Sequence, residues 1–194
     1  MTPLIVATQN PGKLKEMQQH LADLPWQLQL MPPELDIEET GSTFSENAIL
    51  KATQVAQHLG QWAIADDSGL EVMALDGAPG LYSARYGTTD TERIQRLLSE
   101  LQGITNRRAQ FVCVIALARP DGRVACQAQG ICVGEILLAP QGQGGFGYDP
   151  IFYVPSQHKT FAELSAESKR QISHRGEAFK LLRPQLLALQ TELG

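Results

Sequence analysis

The sequence predicts an α/β protein with a central mixed β-sheet and flanking helices. Three observations carry this. The chain opens as a strand, a tight turn and a helix; capped amphipathic helices recur along it; and two apolar runs in the middle form a hairpin. Leu4 to Thr8 is a short, mostly apolar run of the kind a buried strand shows. Asn10 before Pro11 reads as an N-cap with proline at the first helical position, and Leu14, Met17, Leu21 and Leu24 then recur at helical spacing. Thr43-Phe44-Ser45-Glu46 fits a capping box, and Ala48, Ala52, Val55, Ala56 and Leu59 form one apolar stripe that Gly60 ends. Trp62 to Ala65 reads as a strand ending in a turn at Asp66-Asp67-Ser68-Gly69, after which Leu70, Val72 and Ala74 alternate. Asp90 is expected to cap a helix with Ile94, Leu97, Leu98 and Leu101 on its inner face, stopped by Gly103. Phe111 to Arg119 and Arg123 to Val133, joined by Pro120-Asp121-Gly122, form the hairpin. A glycine-rich loop, Gln141 to Gly147, precedes a strand at Ile151 to Val154. Thr160-Phe161-Ala162-Glu163 is a second capping box, expected to open a short helix carrying Lys169. Ser173 caps the last helix, whose Phe179, Leu182, Leu186 and Leu189 face inward, with a kink predicted at Pro184.

Composition narrows the function classes. Of 194 residues, 43% are hydrophobic and 19% charged, enough to bury a core without disulfide or metal staples. At roughly 100–200 residues per domain, 1–194 is expected to be one domain. Sixteen Lys and Arg against 21 Asp and Glu give a net charge of −5, which argues against a partner in nucleic acid or an anionic membrane. Cys113, Cys126 and Cys132 show neither C-x-x-C pairing nor zinc-ligand spacing, and read as buried free thiols of a reducing compartment. The opening MTPLIVATQN has no signal-peptide pattern, and no apolar run approaches the roughly 20 residues of a membrane span, so a cytoplasmic location is expected.

Four segments carry candidate chemistry. Thr8-Gln9-Asn10-Pro11-Gly12-Lys13 brings a strand end, a helix N-terminus and an ammonium within one turn, which suits a phosphate, although Asn10 as a plain cap and Lys13 as a solvated lysine explain the same residues. Asp66-Asp67-Ser68-Gly69 puts carboxylates where an apolar strand ends, the usual ligand-binding end of an α/β sheet; an Asx-turn is the alternative. A hard cation needs only one or two such carboxylates beside substrate phosphates, and Glu39 is a candidate second one. Glu46 is explained by its capping box, and Lys51 lies on the flank of its helix, where most lysines only cover surface. In Gly142 to Pro150 the glycines permit close approach to a ligand and Phe146 offers a flat face to a base; a hairpin loop with Phe146 tucked inward is the alternative. Ser173-His174-Arg175-Gly176 places two cationic groups in the first helical turn, where they make most sense facing an anion or acceptor oxygen. His20, His58 and His158 have no acid or nucleophile partner in sequence and read as surface residues.

Taken in order, these motifs resemble the inosine triphosphate pyrophosphatase family. Thr8-x-Asn10-x-x-Lys13, Glu39-Thr40-Gly41-x-Thr43-Phe44-x-Glu46-Asn47-Ala48-x-x-Lys51-Ala52 and Ala65-Asp66-Asp67-Ser68-Gly69-Leu70 match it. So do Gly77-Ala78-Pro79-Gly80-x-Tyr82-Ser83-Ala84-Arg85, Gly145-Phe146-Gly147-Tyr148-Asp149-Pro150 and Ser173-His174-Arg175-Gly176, so the likeness spans nearly the whole chain. The resemblance implies an elongated fold with two lobes around a nucleotide cleft, a homodimer, and Mg²⁺-dependent hydrolysis of dITP, ITP, dXTP or XTP to monophosphate and pyrophosphate. It implies that Thr8, Gln9, Asn10, Pro11, Gly12 and Lys13 hold the phosphates; by the chemistry of the reaction, charge building on the phosphate oxygens is what Lys13 and Lys51 can neutralise. Asp67 would be the catalytic proton acceptor and a metal ligand, and Glu39 the second ligand. Ser68, Phe146, Gly147, Tyr148, Asp149, Lys169, His174 and Arg175 would bind the nucleotide. The competing readings are a pyrophosphatase for modified pyrimidine triphosphates and a nucleotide-binding regulator without turnover.

Overall fold

The first strand, β1 (Thr2–Val6), lies parallel both to β2 (Trp26–Leu30) and to β3 (Trp62–Val72), with Leu4 opposite Leu28 on one side and Trp62 on the other. With β4 (Arg108–Ala118), β5 (Val124–Ile136), β6 (Phe152–Val154) and β7 (Lys159–Thr160) they form a seven-stranded sheet in the order β2-β1-β3-β4-β5-β6-β7. The β6 strand is antiparallel to both neighbours, so the sheet is mixed as expected. Among the described residues five α-helices accompany it: α1 (Pro11–His20), α2 (Phe44–Leu59), α3 (Asp90–Glu100), α4 (Ala166–Ile172) and α5 (His174–Leu193). This computed structural model describes residues 1–9 and 11–193, with side chains described to residue 189. Asn10, the expected N-cap, lies outside the described residues. No helix among the described residues is long and apolar enough to cross a membrane.

The chain forms two compact units, each assembled from separate stretches of sequence. The first comprises 1–67, 114–129 and 178–194; its core contains Leu4, Val6, Met17, Ala48, Ala52, Val55 and Ile64, all fully buried. The second comprises 68–113 and 130–177, around Leu70, Leu97, Phe111, Ile151, Phe152 and Phe161. Cys113, Cys126 and Cys132 are buried free thiols; burial pushes Cys126 up to about 12 and Cys132 to about 11.

Several elements differ from expectation, each for a physical reason. The β3 strand does not stop at Ala65 but runs through Asp66-Asp67-Ser68-Gly69 to Val72. Aspartate is disfavoured in strands, yet here lysines reach both carboxylates, Lys13 for Asp66 and Lys51 for Asp67. Thr89, not Asp90, caps α3: its Oγ1 accepts from Glu92 N at 3.2 Å and Asp90 is the first helical residue. The Thr160 capping box closes a short 3-10 turn, Phe161–Glu163, and Lys169 sits on the separate helix α4, capped by Ser165. Helix α1 ends at His20, so the buried Leu21 and Leu24 follow it in the turn. His20 is not a bare surface residue: its ring stacks on Phe179 at 4.4 Å.

Candidate active site

In the first unit, successive residues of β3 face opposite ways, so Asp66 and Asp67 serve different neighbours. Asp66 is 2% exposed and accepts at 2.9 Å from Lys13 Nζ, which projects from the first turn of α1. Asp67 stands 3.4 Å through Oδ1 from Lys51 Nζ, and Lys51 also donates to Glu39 Oε1 at 2.6 Å. Lys51 is therefore no surface lysine: only 8% exposed, it lies within reach of both expected metal-ligand carboxylates.

The electrostatics of this cluster are unequal. Burial pulls the Lys51 ammonium down, but Asp67, Asp66 and Glu39 outweigh it and hold the group above its ordinary value. Asp67 is also raised, because burial and the repulsion of Glu39 exceed what Lys51 and other neighbours return. One ammonium shared among several carboxylates is over-compensated itself and leaves Asp67 short of positive charge. The other oxygen, Asp67 Oδ2, is buried with no hydrogen-bond partner among the described residues. No group of three or more Asp, Glu, His or Cys suited to a metal exists among those residues. Two carboxylates, one with a buried open oxygen, suit a hard cation that keeps waters and takes its remaining oxygens from phosphate. Glu39 and Asp67 fit such an ion.

Around this cluster the expected phosphate loop divides in role. The Gln9 amide donates to the carbonyls of Pro33 at 3.1 Å and Leu35 at 3.4 Å, tying down the segment that leads to Glu39. Thr8 is half-buried, and Pro11 and Gly12 are exposed at the start of α1. Asn47, absent from the expected site residues, is 3% exposed and accepts from Gly41 N at 2.8 Å, fixing the chain two residues after Glu39. A Cβ at position 41 would stand 2.6 Å from Asn47 Oδ1, so glycine is required for this approach. Glu-x-Gly followed six residues later by a helical Asn is the signal that points to it. Glu46 is only half of a capping box: Thr43 Oγ1 accepts from its N–H, but its carboxylate accepts from Ser42 N–H at 2.6 Å and from Ser42 Oγ at 2.7 Å.

The second unit gathers the aromatic and cationic candidates. Phe146 is half exposed, not tucked into the core, and Lys169 Nζ lies 4.8 Å from its ring centroid. Asp149, 3% exposed, binds the Lys169 ammonium and accepts from Phe146 N at 2.9 Å. Tyr148 is buried with its hydroxyl donating to Ser83 O at 2.9 Å, and burial pushes its phenol upward. Gly147 joins the two aromatics. Arg175 is 5% exposed and places Nη2 3.4 Å from Ser68 Oγ. The His174 ring, 7% exposed, stacks on Phe111 at 4.7 Å and 13°. Ser173 Oγ caps α5 by accepting from Gly176 N at 3.1 Å. Within one unit, then, the structure supplies a half-exposed flat ring, buried donors and a partly buried acid–lysine pair.

The sequence and the fold both have counterparts among known proteins. The sequence profile of the Ham1 family matches residues 4–185. A Nostoc sp. protein named dITP/XTP pyrophosphatase is 63% identical over 186 residues, 96% of this chain and 95% of its own. A Synechocystis sp. protein of the same name is 61% identical over 94% of each chain. Among solved structures, a HAM1 protein from Coxiella burnetii superposes with a TM-score of 0.89 at 46% identity, covering 97% of this chain and all of that one. The Staphylococcus aureus Ham1 protein gives 0.87 at 46% identity, over 98% of this chain and 99% of its own. With motifs, fold and near-complete coverage in agreement, this chain belongs to the Ham1 family.

Proposed function

We propose that the chain hydrolyses non-standard purine nucleoside triphosphates, dITP or ITP and dXTP or XTP, to the monophosphate and pyrophosphate, and so clears deaminated purines from the nucleotide pool. The observation that carries this reading is the shortage of positive charge at Asp67, whose carboxyl stays raised by burial although Lys51, shared with Glu39, and the Asn47 side chain both lower it, and whose buried Oδ2 accepts no hydrogen bond among the described residues. Relatives with the name dITP/XTP pyrophosphatase at 63% and 61% identity support the substrate class.

Water attacks the α-phosphorus, the bond from that phosphorus to the oxygen bridging to the β-phosphate breaks, and pyrophosphate leaves with that oxygen. Glu39 and Asp67 would hold a divalent cation, for which Mg²⁺ suits the all-oxygen set; when bound it neutralises charge on phosphate oxygens. Asp67 orients the attacking water and takes its proton. Lys13 and Lys51 offset charge that builds on the triphosphate oxygens, and Asp66 keeps Lys13 in place through its 2.9 Å pair. Phe146 supplies the stacking face for the base, with Gly147, Tyr148 and the Asp149–Lys169 pair shaping the loop around it. His174 and Arg175 donate to the oxygen at position 6 of hypoxanthine or xanthine. Adenine presents an amino group there and would leave buried donors unanswered. The buried free thiols support a cytoplasmic enzyme, and the motif resemblance supports a homodimer.

The test is pyrophosphate release from dITP, XTP, dATP, dGTP and dUTP in parallel, with Mg²⁺ and with chelator. Mg²⁺-dependent turnover of dITP and XTP far above the others is expected. Turnover of dUTP alone would assign the chain to pyrimidine triphosphates, and nucleotide binding without turnover would make it a regulator.

A further inference from the structure

The loop that carries Phe146 is held from two directions. From within, Asp149 Oδ2 accepts from Phe146 N at 2.9 Å, and Asp149 N donates back to Phe146 O at 3.2 Å. From outside, Asp90, the first residue of α3, accepts from Gly147 N through Oδ2 at 2.7 Å. Asp90 is itself held: its Oδ1 accepts from Arg93 Nη1 at 2.7 Å, and Arg93 Nε donates to Gly87 O at 3.0 Å. The N-terminus of α3 beneath it is fixed by the Thr89–Glu92 capping box. A helix-borne carboxylate thus grips the N–H of Gly147, the residue between the half-exposed Phe146 and the buried Tyr148. Neither the motif pattern nor the expected site residues include Asp90 or Arg93.

We infer that Asp90, braced by Arg93, is a positioning residue for base recognition: its bond to Gly147 fixes the glycine-rich loop so that the Phe146 ring is presented to the purine before binding. This rests on Phe146 being the base-stacking platform. A loop already ordered in its bound conformation spares binding the entropy of ordering it, so loss of the clamp weakens nucleotide affinity while the phosphate chemistry, carried by other residues, keeps its rate.

The experiment compares Asp90→Ala with Asp90→Asn. Both remove the acidic charge from the first turn of α3, and so share any loss of helix stability. Only alanine removes the acceptor for Gly147 N–H. Two readouts are taken: amide hydrogen exchange at Gly147 in the nucleotide-free protein, and KM and kcat for dITP with Mg²⁺. Asp90→Ala is expected to speed Gly147 exchange at least about tenfold. It is also expected to raise KM several-fold with kcat within about twofold of the parent, and Asp90→Asn to restore both. Unchanged exchange in Asp90→Ala overturns the clamp. Faster exchange with an unchanged KM overturns its role in base binding, as does an equal rise of KM in both variants. If the parent protein turns over neither dITP nor XTP, the proposed activity fails; the exchange readout still decides the clamp, and binding of inosine monophosphate then replaces KM.

Discussion

Lys51 Nζ stands 3.4 Å from Asp67 Oδ1, with both side chains largely buried, and the same nitrogen lies 2.6 Å from Glu39 Oε1. The ammonium is thus a counter-charge shared by the two carboxylates expected to hold the cation. Lys51→Met would leave Asp67 buried without that counter-charge. Breaking a buried pair from one side costs about 3–5 kcal/mol, because the surviving charge is uncompensated. The metal-free variant is expected to lose stability on that scale in urea unfolding, and added Mg²⁺ to return part of it. An unfolding midpoint equal to the parent's would show that the pair contributes nothing to the fold.

The charge shortage also fixes the pH behaviour of Asp67. Burial raises its carboxyl, Lys51 offsets part of the rise, and Glu39 adds to it. Because the folded pKa lies above the unfolded one, the group's favourable contribution is present in full below about 3.9, the ordinary aspartate value. It is lost as pH rises through the folded pKa, so at neutral pH the charged carboxylate costs stability. A bound cation favours the charged form and reverses the shift. Carbon-13 NMR of the Asp67 carboxyl in metal-free protein should give a midpoint above about 3.9, and saturating Mg²⁺ should move it down. A metal-free midpoint at or below the ordinary value would contradict the charge shortage, and no response to Mg²⁺ would remove Asp67 as a ligand.

Substitution of Phe146 tests the proposed base binding apart from folding, since the residue is 50% exposed. Stacking of a base on an aromatic ring is worth about 1–3 kcal/mol by alanine substitution, so Phe146→Ala should weaken dITP binding about 5- to 150-fold. Thermal unfolding should change by less than about 0.5 kcal/mol, as for other exposed positions. A loss of stability with unaltered dITP affinity would make the ring structural.

What the sequence made legible was mostly local. The opening strand-turn-helix, the α2 stripe from Ala48 to Ala56 and the hairpin around Pro120-Asp121-Gly122 are set by near neighbours, and all are present. Asp66 to Gly69 looked like a turn because strand propensity is judged without partners; Lys13, 53 residues from Asp66, supplies one. The burial of Lys51 was hidden for the same reason, since its carboxylates lie 12 and 16 residues away. Gly176 shows the same limit in a motif that was recognised. Helical spacing gives no reason for glycine there, but a Cβ would stand 1.8 Å from the carbonyl oxygen of Arg170 where α4 turns into α5.

Arg175 carries the sharpest test of base choice. It is 5% exposed, follows the His174 ring stacked on Phe111, and places Nη2 3.4 Å from Ser68 Oγ, so its guanidinium is held in a defined place. A buried donor set that meets an oxygen at position 6 gains a charge-assisted bond; one that meets the adenine amino group meets another donor. Sites built to bond a particular group reject its absence by up to about 10⁴–10⁵-fold, and in the proposed site Arg175 would share that task with His174. Arg175→Ala is therefore expected to lower the ratio of kcat/KM for dITP over dATP by about 10- to 100-fold, through loss on dITP. Near-UV circular dichroism checks that the fold survives. Loss on both substrates by the same factor would place Arg175 on the phosphates or sugar, and an unchanged ratio in a folded variant would leave His174 as the reader of position 6.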